Sequence, residues 1–324
     1  MLSISKLLTI ALLVVFVCYA RAQKIETIHN FSAKGWAKAE NGLIIFWHSM
    51  PKDVTGKDVE LFDKWGRAIT SLRVLGLVPD ATTVAIYDVS ARPGRIIAVS
   101  AVYASKERGV RPASALLIFD FRGSLLSFFA MAPWRHILRL EVDEDSNIWA
   151  LNENAEQGKD PAESSMVTEY TTQGTVLKEL LPRNLFPSHT DRIHGGGKVG
   201  FAAIGYDPTG MWFWLPGSTD LATALSGGQL VTTKTGLPNG DAKEYPVNLV
   251  RQGPENRLVA EFREGENPRP SYYWWSQSAK SWTRFKPGEC DGGWLIGTDG
   301  NDQVYLRQAA ATPSDTEICL SGTQ

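Results

Sequence analysis

From Trp36 onward, short apolar runs alternate with tight polar breaks, and the breaks recur at a regular interval. Leu140-Glu141-Val142-Asp143 turns through residues 144–147 into Ile148-Trp149-Ala150-Leu151. Ile204-Gly205-Tyr206-Asp207 turns into Met211-Trp212-Phe213-Trp214, and Ile296-Gly297-Thr298-Asp299 turns into Gln303-Val304-Tyr305-Leu306. Weaker copies precede Leu43, Arg95 and Arg257. The turns end at Gly42, Gly94, Asn147, Gly210, Asn256 and Asp302, at spacings of 52, 53, 63, 46 and 46. A second series of turns is interleaved with the first. It ends at Gly66, Gly123, Gly174, Gly228 and Lys280, at spacings of 57, 51, 54 and 52. Glycine suits such ends because tight hairpin turns need positive φ.

Two hairpins per period make four antiparallel strands per period, and no segment has a convincing amphipathic helical pattern. The expectation is an all-β chain, a six-bladed β-propeller of four-stranded antiparallel blades, because radial repetition hides the edges of the sheets. The last unit holds only three strands after Gly293. Residues 24–31 alternate like a strand, so an N-terminal strand is expected to close the last blade. A β-sandwich, an irregular barrel, or a ring of five or seven blades would also be compatible with short alternating strands.

Residues 140–151 and then 167–180 have a particular shape. An apolar-x-Asp-x-x-x-Asn-apolar-aromatic run precedes an apolar-x-x-Tyr-x-x-x-Gly turn. This shape resembles the repeat of NHL-type and SMP-30-type six-bladed propellers, and it is similar to TolB-like propellers of bacterial periplasms. The resemblance covers the mature chain as a pattern and is best in this one unit. It implies a propeller fold. Lactonases of the SMP-30 group hold a divalent metal in the central channel through Glu, Asn and Asp side chains. Their signature matches no set of residues here, so the resemblance assigns no metal ligand.

The N-terminus changes the compartment. Lys6 precedes the apolar run of residues 7–20, and Ala20-Arg21-Ala22 has the form of a cleavage site. These features read as a secretory signal peptide over residues 1–22, followed by a single domain over 23–324 that is secreted or periplasmic. An uncleaved anchor is the competing reading, but the run is shorter than the roughly 20 residues of a spanning helix. No membrane span is expected after cleavage. The full chain of 324 residues carries 33 basic and 35 acidic side chains. Removing the leader moves the net charge from −2 to −4, which argues against nucleic acid as a partner. Cys290 and Cys319 remain after cleavage and form a disulfide candidate in an oxidising compartment, the alternative being two free thiols.

In this strand order, the long connections gather on one face, where ligand recognition is expected. Trp36 and Trp134 lie near the starts of inner strands there and are candidates for stacking on a sugar or peptide. Most other tryptophans are expected to pack between blades. Arg135 and His136 are candidates for anion recognition. Asp191, Arg192 and His194 belong to the densest polar stretch, and Asp291 lies in another connection on this face. His and Asp are zinc-type ligands, but no third ligand has a fixed spacing, so no metal site is assigned. The chain has no Gly-x-Ser-x-Gly, His-Glu-x-x-His, phosphate-loop or dinucleotide signature. The expected function is therefore that of an exported binding protein for a protein, peptide or glycan, with no cofactor indicated. The alternative is a metal-dependent hydrolase or lactonase of the SMP-30 type.

Overall fold

The computed structural model describes residues 23–24, 35–51, 57–105, 113–132, 135–154, 165–182, 203–207, 210–214, 220–225, 229–235, 244–252, 257–264, 269–276, 278–298, 303–309 and 316–322. Within them the chain is all-β, with one short 3-10 turn at Gly288–Cys290.

Four sheets each take four consecutive strands in antiparallel order. The first of these comprises β6 (Ala81–Ala91), β7 (Ile97–Ser105), β8 (Ala113–Phe119) and β9 (Leu125–Ala130). The next contains β10 (Arg135–Val142), β11 (Ile148–Asn154), β12 (Ser165–Tyr170) and β13 (Val176–Pro182). It is followed by β14 (Ala203–Asp207), β15 (Gly210–Trp214), β16 (Asp220–Leu225) and β17 (Leu230–Lys234). The fourth contains β18 (Glu244–Gln252), β19 (Arg257–Glu264), β20 (Ser271–Ser276) and β21 (Ser281–Phe285).

The remaining strands form one mixed eight-stranded sheet from both ends of the chain. From the N-terminal side come β1 (Gln23–Lys24), β2 (Trp36–Glu40), β3 (Leu43–Trp47), β4 (Val59–Asp63) and β5 (Ala68–Leu72). From the C-terminal side come β22 (Trp294–Thr298), β23 (Gln303–Ala309) and β24 (Thr316–Gly322). Strand β1 pairs antiparallel with β24 through Gln23 and Lys24, and residues 25–34 lie outside the described part. A single parallel bridge, Ala39 opposite Gly297, joins β2 to β22.

The hairpin turns show why the pattern was readable. Asp63, Asp120, Asp143 and Thr171 each accept two backbone N–H bonds through one side-chain oxygen, from the residues two and four places on. Such Asx and Thr turns fix the chain reversal locally. The residue three places on has positive φ in every case: Gly66 at 87°, Gly123 at 86°, Ser146 at 68° and Gly174 at 79°. Gly174 has a second constraint, because a Cβ there would lie 2.5 Å from the Phe129 ring.

Apolar side chains fill the space between successive sheets. One cluster joins Leu43, Ile45 and Leu61 to Ile97, Val99 and Leu117. Another joins Ala98 and Ile118 to Leu140, Ile148 and Ala150. Trp149 and Leu151 meet Met211 and Phe213, and Trp212 meets Leu258, Phe262 and Trp275. Val259 and Tyr272 meet Leu295, Leu306 and Cys319, and Ile44 and Phe46 meet Ile296, Tyr305 and Ile318. Trp149, Trp212 and Trp275 are thus buried between sheets. The leading strands also touch in sequence: β2 with β6, β6 with β10, β10 with β14, β14 with β18, β18 with β22, and β22 with β2.

A leading strand has no full ladder on its inner edge, so its N–H groups need other acceptors. Side chains from the neighbouring sheet supply several of them. Glu40 Oε1 accepts from Ala91 N at 2.6 Å, Asp88 Oδ2 from Leu140 N at 2.7 Å, and Ser90 Oγ from Val142 N at 2.9 Å. Glu261 Oε2 does the same for Leu295 N at 2.7 Å.

Candidate functional site

Three leading strands bring four charged side chains together. Lys38 and Glu40 come from β2, Asp88 from β6 and Glu141 from β10. The Lys38 ammonium lies 2.5 Å from Glu40 Oε2, 3.5 Å from Glu141 Oε2 and 4.0 Å from Asp88 Oδ2. It also donates to the Leu140 carbonyl at 2.8 Å. The three carboxylates are almost wholly buried, while the Lys38 side chain is 20% exposed.

Burial alone would lower the Lys38 pKa, but attraction to Glu40, Asp88 and Glu141 outweighs it and raises the pKa above the usual lysine value. Glu141 is pushed well above the ordinary carboxyl range. Burial is the main cause, followed by repulsion from Glu40, and Lys38 opposes the shift only in part. Burial and repulsion thus favour the neutral carboxyl at Glu141, while its partners favour the ammonium at Lys38. The cluster's atoms are also the acceptors that tie neighbouring sheets together, so the cluster is a structural clasp at the inner edge.

These acids do not fit a divalent cation. An ammonium already sits among them, at 2.5 Å from Glu40 and 3.5 Å from Glu141. Among the described residues, no group of three or more His, Cys, Asp and Glu side chains is arranged to hold a metal.

The sequence candidates fall in separate places. Arg135 opens β10, where Nη1 donates to the Tyr170 hydroxyl at 2.9 Å and Nη2 to Glu179 Oε1 at 2.6 Å. Burial works to lower its pKa, but Tyr170 and Glu179 overcome that and raise it. These three side chains line an open groove of about 650 Å³, with Phe128, Phe129 and Met131 as its apolar part. His136 places Nδ1 2.7 Å from Ser114 Oγ, which anchors it to the preceding sheet. Trp36 opens β2 and is 49% exposed. Asp291 is exposed, and its N–H closes the short 3-10 turn onto the Gly288 carbonyl. Trp134, Asp191, Arg192 and His194 lie outside the described residues. Cys290 and Cys319 are joined as a disulfide with a Cα–Cα separation of 5.6 Å.

No protein-family model matches the chain, and no curated protein matches it. Among solved structures, it is similar to a Bacteroides fragilis protein assigned as exported. The TM-score is 0.53 at 11% identity, over 93% of each chain. The fold is propeller-like. At lower similarity stand a Bacteroides caccae protein of unknown function and an oligogalacturonate lyase from Vibrio parahaemolyticus. The first has a TM-score of 0.46 at 12% identity, over 75% of this chain and 79% of the other. The second has 0.48 at 11% identity, over 90% and 77%. Identities this low speak to architecture alone. No helix among the described residues is long and apolar enough to cross a membrane.

The Lys38 cluster was missed in the sequence. Lys38 and Glu40 are alternate residues before the Gly42 turn, and Glu141 is one polar residue in an apolar run. The available signal was that all three fall in predicted inner strands, where a charged side chain needs a partner.

Proposed function

We propose that this protein is an exported six-bladed β-propeller that recognises a ligand on the face where its inner strands begin. The ligand class is a protein, peptide or glycan. In this reading the eight-stranded sheet is two blades, joined at the Ala39–Gly297 bridge, with β1 as the outer strand of the last blade. The contact circuit of the leading strands supports a closed ring. Residues 1–22 are the cleaved signal peptide, and the mature chain begins at Gln23.

One observation favours binding over metal-dependent hydrolysis. The inner-strand carboxylates Glu40, Asp88 and Glu141 converge on Lys38 and on backbone N–H groups of the next sheet. They act as framework, and an ammonium already occupies the space among them.

Expressing the chain with its own leader tests both parts. The expected product begins at Gln23, and its hydrolysis of simple lactones is no faster after addition of Ca²⁺, Zn²⁺ or Mn²⁺. A stoichiometric metal with lactone hydrolysis that chelation abolishes would establish the hydrolase reading instead. A retained leader would overturn the signal-peptide assignment.

A further inference from the structure

We infer that Trp36, Tyr87 and Arg139 form a site for an acidic sugar, a uronate whose carboxylate Arg139 holds. This deepens the proposed recognition on the inner-strand face and rests on that reading.

The Lys38 cluster fixes how three inner strands are set. Lys38 on β2 meets Glu141 on β10 at 3.5 Å and Asp88 on β6 at 4.0 Å. Asp88 and Ser90 accept from the N–H groups of Leu140 and Val142, and Glu40 accepts from that of Ala91. The order of these contacts makes β2, β6 and β10 run in the same direction.

Trp36 lies two residues before Lys38 on the same face of β2, and that strand keeps its register from Trp36 to Glu40. Arg139 lies two residues before Glu141 on the same face of β10, and no register shift falls between them. Trp36 and Arg139 therefore stand on the two faces that meet at Lys38. Both are about 7 Å nearer the strand starts than that contact, by the rise of a strand. Tyr87 belongs to this level because it directly precedes Asp88. It is the extra residue of a bulge between Ile86 and Asp88, and a bulge re-aims the side chain it carries.

The fold leaves binding groups open at all three residues. Arg139 is partly buried, and its Nη1 donates to the Leu138 carbonyl at 2.8 Å. Among the described residues it has no carboxylate partner. Its Nε and Nη2 remain, the edge that grips a carboxylate through two parallel bonds. Trp36 is 49% exposed and Tyr87 is 44% exposed. Glu40 and Asp88 are engaged by Lys38 and by backbone N–H groups.

A uronate joins a carboxylate to a ring with a C–H face and hydroxyls. Arg139 takes the carboxylate, the Trp36 indole takes the C–H face, and the Tyr87 hydroxyl bonds to a ring substituent. A neutral sugar would leave the covered guanidinium edge without its ionic partner, which is costly.

The test is isothermal titration of the mature protein with trimers of galacturonate, glucuronate and mannuronate, each as the free acid and as the methyl ester. At least one acid should bind, and its ester should bind about tenfold or more weakly. Arg139→Met should remove this preference for the acid. Arg139→Lys should restore only part of it, because an ammonium lacks the planar fork. Trp36→Ala should weaken acid and ester alike, by about tenfold. Arg95→Met is the control. It deletes the same charge from the exposed β6–β7 turn, at the far end of the strand, and should leave binding unchanged. Denaturation curves that overlay the parent protein exclude loss of folding, and the acid-to-ester ratio is read within each variant. Three results overturn the inference: no acid binds at about 10 mM, the weak end of measurable affinity; acid and ester bind the parent equally; or Arg139→Met keeps the parent's preference. An N-acetyl tripeptide with a free carboxyl terminus is titrated alongside, and its binding where no uronate binds overturns the sugar assignment. Each of these leaves the wider recognition reading standing unless the metal-dependent hydrolysis described above is found.

Discussion

Gly297 has no room for a side chain because the Ala39 carbonyl occupies the place where its Cβ would stand. The neighbouring strand backbones touch at this point, which is also the one bridge between β2 and β22. The backbone of Gly297 is not left-handed, so its requirement is steric. Gly297→Ala should force β2 and β22 apart and cost about 1–3 kcal/mol, the usual range for overpacking. Gly42→Ala is the comparison. Gly42 has φ of 75° with open space around it, so it should show only the conformational cost of about 1 kcal/mol. Urea denaturation measures both. Equal losses would show that β2 and β22 can separate without penalty.

The Lys38 cluster should make stability depend on pH in a definite direction. Glu141 has a folded pKa above its unfolded value, so the folded state holds the proton more tightly. Its contribution is fully present below the unfolded carboxyl pKa and is lost as pH rises through the folded value. Glu40, Asp88 and Lys38 are the charged groups facing it. Glu141→Gln should therefore flatten the decline in denaturation midpoint between acid and mildly alkaline pH. Lys38→Met removes the only cation shown among three buried acids and should cost about 3–5 kcal/mol at neutral pH. An unchanged midpoint for Lys38→Met would mean that these acids do not depend on the Lys38 ammonium.

The Asp143 turn also holds a buried indole. Oδ1 accepts from Asp145 N and Asn147 N, while Oδ2 accepts from the indole of Trp149 at 2.9 Å. The carboxylate is buried, so Asp143→Ala should cost about 2–3 kcal/mol. Asp63→Ala, in an equivalent turn with a more exposed side chain, should cost about 1 kcal/mol. Ser146 is the non-glycine residue in the left-handed position of its turn, at φ 68°. Ser146→Gly should stabilise by up to about 1 kcal/mol. Thermal melts rank the three variants, and a loss in Ser146→Gly would refute the strain argument.

The disulfide closes a loop across a separation of 29 residues between the 3-10 turn and β24. Replacing both cysteines by serine should cost about 3–4 kcal/mol, by the loop-entropy relation. Intact mass after alkylation, with and without prior reduction, reads the bond directly. Alkylation of both residues without reduction would show free thiols.

The repeat was legible in the sequence because it rests on local causes. Alternation reports which side of a strand is buried. Gly66, Gly123 and Gly174 mark places where only a left-handed residue closes the turn. Asp143 was readable as a turn former, since its partners lie within six residues. The candidates in loops were less legible. Arg135 and His136 were candidates for anion recognition, and their partners Tyr170, Glu179 and Ser114 come from other strands, which local sequence does not show.

By itself, then, the sequence determined an all-β chain with a four-strand period, the turns at Gly66, Gly123 and Gly174, and Cys290 with Cys319 as a candidate pair. Only the tertiary structure decided that Lys38 reaches the backbone of Leu140, 102 residues away, and that Arg307 bonds to Gly35 across 272 residues. Only it placed Trp36 and Arg139 at one level on the faces that meet at Lys38. The physical reason is range. Turn conformation and strand alternation act between near neighbours, whereas these contacts depend on how one sheet is set against another.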